Sequence, residues 1–147
     1  MMPTTHGEQA STINRDSQAY WNKRAATFTR DATIDYERWL LDLLALETGE
    51  EILDMGCATG TLAVPLARAG HRVHGCDFAE AMLAILDERA AAENLPITSH
   101  LLAWEDDWEE ASLGHNSVDV AFASRSLMSG NVFSAVRKLD EAARSRA

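Results

Sequence analysis

Cysteine is scarce in this chain. It occurs only at Cys57 and Cys76, in neither a CxxC nor any other metal-ligand spacing. The pair therefore reads as two free thiols in a reducing compartment, not as a staple or a metal site. Long apolar runs are missing too: none approaches the roughly 20 residues that cross a bilayer. The opening stretch, Met1 to Gln9, lacks the apolar core of a secretory signal. Together these absences predict a cytoplasmic protein. Basic residues are outnumbered, with 13 Lys and Arg against 23 Asp and Glu and a net charge of -10. Such a surface repels phosphate backbones and anionic membranes, so neither nucleic acid nor membrane is an expected partner. Internal repeats and low-complexity tracts are also absent. What remains is ample apolar content, 46% of 147 residues, enough for the core of one domain.

Residues 1–14 read as a disordered tail and 15–147 as the domain. Helical spacing begins at Asp16, with Tyr20, Trp21, Ala25 and Phe28 in phase. A second helix is expected from about Ala32 to Glu47, with Tyr36, Leu40, Leu43 and Leu44 on one face. The texture then changes to strands alternating with helices. Glu51 to Asp54 is a strand, Gly56 to Gly60 a small-residue turn, and Thr61 to Ala69 a helix with Leu62, Leu66 and Ala69 inward. His71 to Cys76 is the next strand, ending at Asp77. Ala79 to Glu93 follows as a helix with Leu83, Leu86 and Ala90 inward. Ile97 to Leu102 and Val118 to Ala123 are further strands, separated by an acidic connection. Val132, Val136, Leu139 and Ala143 mark a last amphipathic helix. This alternation predicts an α/β fold, a Rossmann-like, doubly wound parallel sheet with N-terminal helices. Ligands in such sheets bind beyond the carboxyl ends of the strands, here Asp54, Asp77, Leu102 and Ala123.

The strongest local signal is Asp54-Met55-Gly56-Cys57-Ala58-Thr59-Gly60, between a strand and a helix. Small residues there let a ligand approach the backbone closely. Asp77 follows 21 residues after Gly56 at the end of the next strand, a placement suited to the two hydroxyls of a ribose. An adenosine-type ligand is implied. A dinucleotide would set its pyrophosphate against this turn. The spacing here is GxxxG, and the Asp54 carboxylate repels phosphate. It favours instead a ligand with an ammonium group, which points from NAD toward S-adenosylmethionine.

These segments resemble class I S-adenosylmethionine-dependent methyltransferases. Asp54 to Gly60 is similar to that family's acid-x-Gly-x-Gly-x-Gly motif, with Ala58 at the middle glycine. Val73 to Asp77, continuing through Phe78 to Met82, resembles its second segment. There the acid holds the ribose and the next residue packs on the adenine, roles that map to Asp77 and Phe78. Ala103-Trp104-Glu105-Asp106 resembles the segment touching the adenine edge. Tyr20 to Ala25 resembles the helix lying over the cofactor in small-molecule enzymes. The implied cofactor-binding set is Tyr20, Asp54, Gly56, Cys57, Ala58, Gly60, Asp77, Phe78, Met82, Trp104, Glu105 and Ser124. No catalytic base is assigned, since positioning supplies much of the rate of methyl transfer. No metal is expected, and His71, His74 and His100 read as non-ligands. S-adenosylhomocysteine would be the product.

Ala123-Ser124-Arg125-Ser126 lacks the Asp/Asn-Pro-Pro-Tyr signature of amino-directed nucleic-acid and protein enzymes, and the Pro-Cys pair of cytosine C5 enzymes. A small-molecule acceptor is therefore expected. Arg125 and Ser126 fall on the functional side of the sheet, as acceptor-pocket lining or as ordinary surface. The family's sheet has about seven strands in the order 3-2-1-4-5-7-6, of which four are expected here, in the order 3-2-1-4. An unpaired fourth strand would invite association. This predicts either a C-terminally truncated product or a half-domain completed by a partner chain or a second copy. Two other functions stay open: a non-catalytic cofactor-binding or interaction module, and an NAD-type oxidoreductase fragment.

Overall fold

The computed structural model describes residues 6–28, 31, 33–126 and 131–147, with side chains from residue 15 onward. Helix α1 runs His6–Arg24, beginning inside the stretch read as a tail, and passes into a short 3-10 turn at Ala25–Thr27. Helix α2 covers Ile34–Leu44, so the expected start at Ala32 lies outside the described residues. Thr33 caps it by accepting from the Tyr36 amide, and Ala45 closes it in the left-handed conformation. Leu40 and Leu44 are buried, but Leu43 is 64% exposed. The inward face is thus narrower than its apolar content suggested.

Strands β1 (Ile52–Met55), β2 (Val73–Asp77), β3 (Ile97–Leu101) and β4 (Val118–Phe122) alternate with helices α3 (Ala63–Arg68), α4 (Glu80–Glu93) and α5 (Val132–Ala142). A fifth strand, β5, follows α5 directly at Ala143–Arg146. The sheet order is β3-β2-β1-β4-β5, and every pairing is parallel. The central order 3-2-1-4 is the expected one.

The fourth strand is not an edge, contrary to the sequence reading, because β5 pairs along it from Val118 to Val120. Side chains hold β5 there. The Arg146 guanidinium donates to the carbonyls of Leu44 and Ala45 and to the Glu50 carboxylate, and Arg144 pairs with Asp119. Glu50 is held below its usual carboxyl range mainly by the Arg146 bond. Ala-Arg-Ser-Arg carries no strand-like pattern, so β5 is set by its pairing with β4 and by these long-range side-chain bonds. A partner covering β4 is not needed at this position.

Two cores sandwich the sheet. Ile52, Val73, Val120 and Phe122 face α2, α3 and α4 through Leu40, Leu44, Leu62, Leu66, Leu83 and Leu86. Leu53, Met55, Cys76 and Ala121 face α5 and the acidic connection through Leu102, Trp108, Leu113, Leu139 and Ala142. β1 is buried on both faces, as a central parallel strand must be. The inward residues of α5 are Ala135, Leu139 and Ala142, not Val132 and Val136, which are about half exposed. In α3, Ala69 is exposed and Ala67 takes its place inside. No helix of the described residues is long and apolar enough to cross a membrane.

Candidate cofactor site

The carboxyl ends of β1, β2 and β4 converge on the turn at residues 56–60. Its backbone bends through left-handed conformations at Gly56 (φ 79°), Ala58 (φ 52°) and Gly60 (φ 93°). The amides of Gly56 and Cys57 both donate to the Cys76 carbonyl, at 2.7 and 2.9 Å, which ties the turn to the end of β2. At Gly60 an added β-carbon would lie 2.6 Å from Leu86 Cδ1 and 2.9 Å from Val64 Cγ2, so a side chain there would force those buried residues to shift. Gly75 plays the same part across the turn: its missing β-carbon would meet Leu86 at 2.8 Å and the Cys57 sulfur at 3.2 Å. That glycine gave no motif signal, because only the tertiary packing of Leu86 and Cys57 against β2 requires it.

Asp77 is the anchor of the turn. Its Oδ2 accepts from the Ala58 amide at 2.9 Å, and its Oδ1 accepts from the Ala79 amide at 2.9 Å. A carboxylate has about four acceptor sites, so these two bonds orient it and leave capacity for a diol. Burial pushes its carboxyl upward, opposed by the amides of Ala79, Ala58 and Phe78.

Asp54 has a different environment. It is 3% exposed, and among the described residues nothing donates a hydrogen bond to its side chain. Burial, and secondarily the negative charge of Asp77, pushes its carboxyl up to about 7. A buried carboxylate without a donor is costly unless a ligand completes it. Cys57 and Cys76 are buried beside these acids, and burial raises both thiols. Neither has the depressed pKa of a nucleophile, in keeping with Cys57 as a small filler of the turn.

Helix α1 closes one side of this region. Trp21, Ala25 and Phe28 pack with Phe78, Ala79, Met82 and Ile85. Gln18 donates to the Phe78 carbonyl at 2.6 Å. Asn22 accepts from the Ala81 amide at 2.9 Å, supplying the side-chain acceptor that the α4 N-cap, Ala79, lacks. Met82 is fully buried in this packing, while Phe78 is partly exposed at the strand end. Tyr20 is 56% exposed and meets Trp21 edge-on; no described contact ties it to the turn.

On the β4 side, Ser124 is paired to the Tyr36 hydroxyl of α2. Ser126 donates to the Met55 carbonyl at 2.7 Å and accepts at its own carbonyl from the Trp104 indole at 3.1 Å. Trp104 lies against Trp108 with ring centroids 5.5 Å apart. Glu105 is exposed, and Asp106 spends an oxygen on the Ala103 amide. The structure thus brings Asp54, the turn, Asp77, Phe78, Trp104 and Ser124 to one end of the sheet. It adds Tyr36 and Ser126, which sequence reasoning had not placed among the cofactor residues. Elsewhere, His74 bonds Glu51 and His100. No group of three or more metal-capable side chains occurs among the described residues.

Residues 52–145 match the methyltransferase domain family. The chain belongs to it. An uncharacterized protein of Haemophilus influenzae is 31% identical over 130 residues, covering 86% of this chain and 47% of that protein. The S-adenosyl-L-methionine-dependent Diels-Alderase of Talaromyces variabilis is 34% identical over 103 residues, covering 70% and 35%. The crystal structure of TehB from Haemophilus influenzae has a TM-score of 0.62 and 24% identity over 76% of this chain and 38% of that one, a likeness of fold. The chain spans less than half the length of each of these proteins. Membership in the methyltransferase family decides the question raised by the glycine turn, favouring S-adenosylmethionine over a dinucleotide.

Proposed function

We propose that this domain binds S-adenosylmethionine at the carboxyl ends of β1, β2 and β4 and that the protein transfers the methyl group to a small-molecule acceptor. The observation that carries this reading is Asp54, a buried carboxylate with no hydrogen-bond donor among the described residues, beside an open-backbone turn. An ammonium group is the ligand chemistry that would satisfy it. Asp77, oriented by the Ala58 and Ala79 amides, would accept from the ribose hydroxyls. Phe78 and Trp104 would offer apolar surface to the adenine, and α1 would exclude water from the ribose side.

S-adenosylmethionine supplies a methyl group on a sulfonium, with a neutral thioether as leaving group. The protein's task is then to hold both reactants in line in a dry site, which supplies much of the acceleration. Where the methylated atom carries a proton, that proton must also leave, and no side chain is assigned to take it. The family fold also serves other reactions, as the Diels-Alderase relative shows by its name, so binding and transfer are tested separately. Calorimetry with S-adenosylhomocysteine should show binding by the wild type that Asp77→Ala abolishes. Incubation with methyl-labelled S-adenosylmethionine and a panel of small acceptors should then yield labelled product. Absence of cofactor binding by the folded wild type would refute the site. Binding without transfer to any acceptor would favour a non-catalytic cofactor-binding module.

A further inference from the structure

Arg125 has three features that ordinary surface does not require together. It is a non-glycine residue in the left-handed region, with φ 58°, a conformation that is strained for an L-residue with a long side chain. Both neighbours are pinned. Ser124 is bonded to Tyr36, and Ser126 is bonded to the Met55 carbonyl and to Trp104. Ser126 also rests on Gly56, where an added β-carbon would lie 2.1 Å from the serine's own. The strained residue is therefore held directly beside the cofactor turn.

Its guanidinium also has a platform. The carbon of the guanidinium lies 4.6 Å from the centre of the Tyr36 ring, and Tyr36 stacks on Trp39 at 5.9 Å and 14°. A guanidinium resting on an aromatic face keeps its edge N–H groups available in a planar fork, the geometry that recognises a carboxylate or phosphate. Among the described residues, no carboxylate forms an ion pair with Arg125. The chain carries an excess of ten negative charges, so an anion has little general reason to approach it. A cation fixed at this spot gives it a local one.

We propose that Arg125 is the receptor for an anionic group of the methyl acceptor, which makes the acceptor a small carboxylate- or phosphate-bearing molecule. This rests on the methyltransferase reading above. Tyr36 is a positioning residue: it carries the guanidinium and, through Ser124, fixes the loop.

The test uses protein saturated with S-adenosylhomocysteine and titrated at low salt with malonate, inorganic phosphate and the neutral analogue malonamide. Malonate or phosphate should bind and malonamide should not. Arg125→Asn removes the charge with a residue that tolerates the left-handed backbone. It should weaken anion binding about ten- to a hundredfold, as expected for loss of a charged hydrogen bond, while S-adenosylhomocysteine affinity stays unchanged. Arg125→Lys should retain part of the binding, and Tyr36→Leu, which removes the aromatic platform under the guanidinium, should weaken it. Equal anion affinity in wild type and Arg125→Asn, or no anion binding by the cofactor-loaded wild type, would overturn the proposal and leave the methyltransferase reading standing. Failure of the wild type to bind S-adenosylhomocysteine would overturn both.

Discussion

Replacing Asp54 by Asn should change how the stability of the cofactor-free protein depends on pH. Burial raises the Asp54 carboxyl from 3.8 to about 7. Between those values the folded state holds a proton that the unfolded state has released. Stability supplied by Asp54 is therefore full below pH 4 and lost as pH rises through 7. The rise corresponds to about 4 kcal/mol in all, of which roughly 3 kcal/mol falls between pH 5 and 8. Asn carries no titrating proton, so this contribution disappears. The stability of Asp54→Asn relative to wild type should thus improve by about 3 kcal/mol between pH 5 and pH 8. The absolute offset at either pH also includes whatever the new amide gains or loses in hydrogen bonding, but the change with pH does not. Urea unfolding of both proteins at pH 5, 6, 7 and 8 measures it directly. Parallel stability curves across that range would refute the claim that Asp54 is buried as an uncompensated acid. The cost is comparable to a large part of a small domain's total stability, which is the physical reason to assign the residue a ligand.

Cofactor affinity should show the opposite pH trend. A bound ammonium favours ionised Asp54, so S-adenosylhomocysteine should bind about tenfold tighter at pH 8 than at pH 6, and a pH-independent calorimetric constant would count against Asp54 as its partner. Ala58 has φ 52°, where glycine is relaxed and alanine is not. Ala58→Gly should therefore stabilise the protein by about 1 kcal/mol, raising Tm by roughly 2–4 °C; a lower Tm in thermal denaturation would show that the turn does not strain alanine. Arg146→Ala should release β5 from Leu44, Ala45 and Glu50. It should cost about 1–2 kcal/mol and accelerate amide hydrogen exchange in β4, and unchanged exchange there would mean that β5 is held by its backbone pairing alone.

Several elements were legible because their cause is local. The run Ile52 to Gly60 combines a strand buried on both faces with a small-residue turn, and each half needs only its own residues to declare itself. Asp77 was legible because the distance from the turn to the end of the next strand is set by one helix and one loop. The helix over Ala79 to Glu93 was likewise written in the spacing of Leu83, Leu86 and Ala90, all buried in α4.

Other features were decided by contacts between distant residues. β5 is set by its pairing with β4 and by Arg146 reaching Glu50 and the end of α2, about a hundred residues earlier, and no periodicity in Ala-Arg-Ser-Arg records that. The inward face of α5 is set by what it meets on the sheet, so small Ala135 and Ala142 are buried while larger Val132 and Phe133 are exposed. Gly75 matters only because Leu86 and Cys57 pack against it. The cap of α4 comes from Asn22 on a different helix. The sequence alone determined the order of the first four strands with the helices between them, the turn and its two acids, because those follow from spacing and backbone chemistry. Tertiary structure alone decided that Asp54 has no partner among the described residues, that Asp77 is already oriented by two amides, and that Arg125 rests on Tyr36. Burial, hydrogen-bond satisfaction and ring stacking are relations between segments, and only the folded chain brings those segments together.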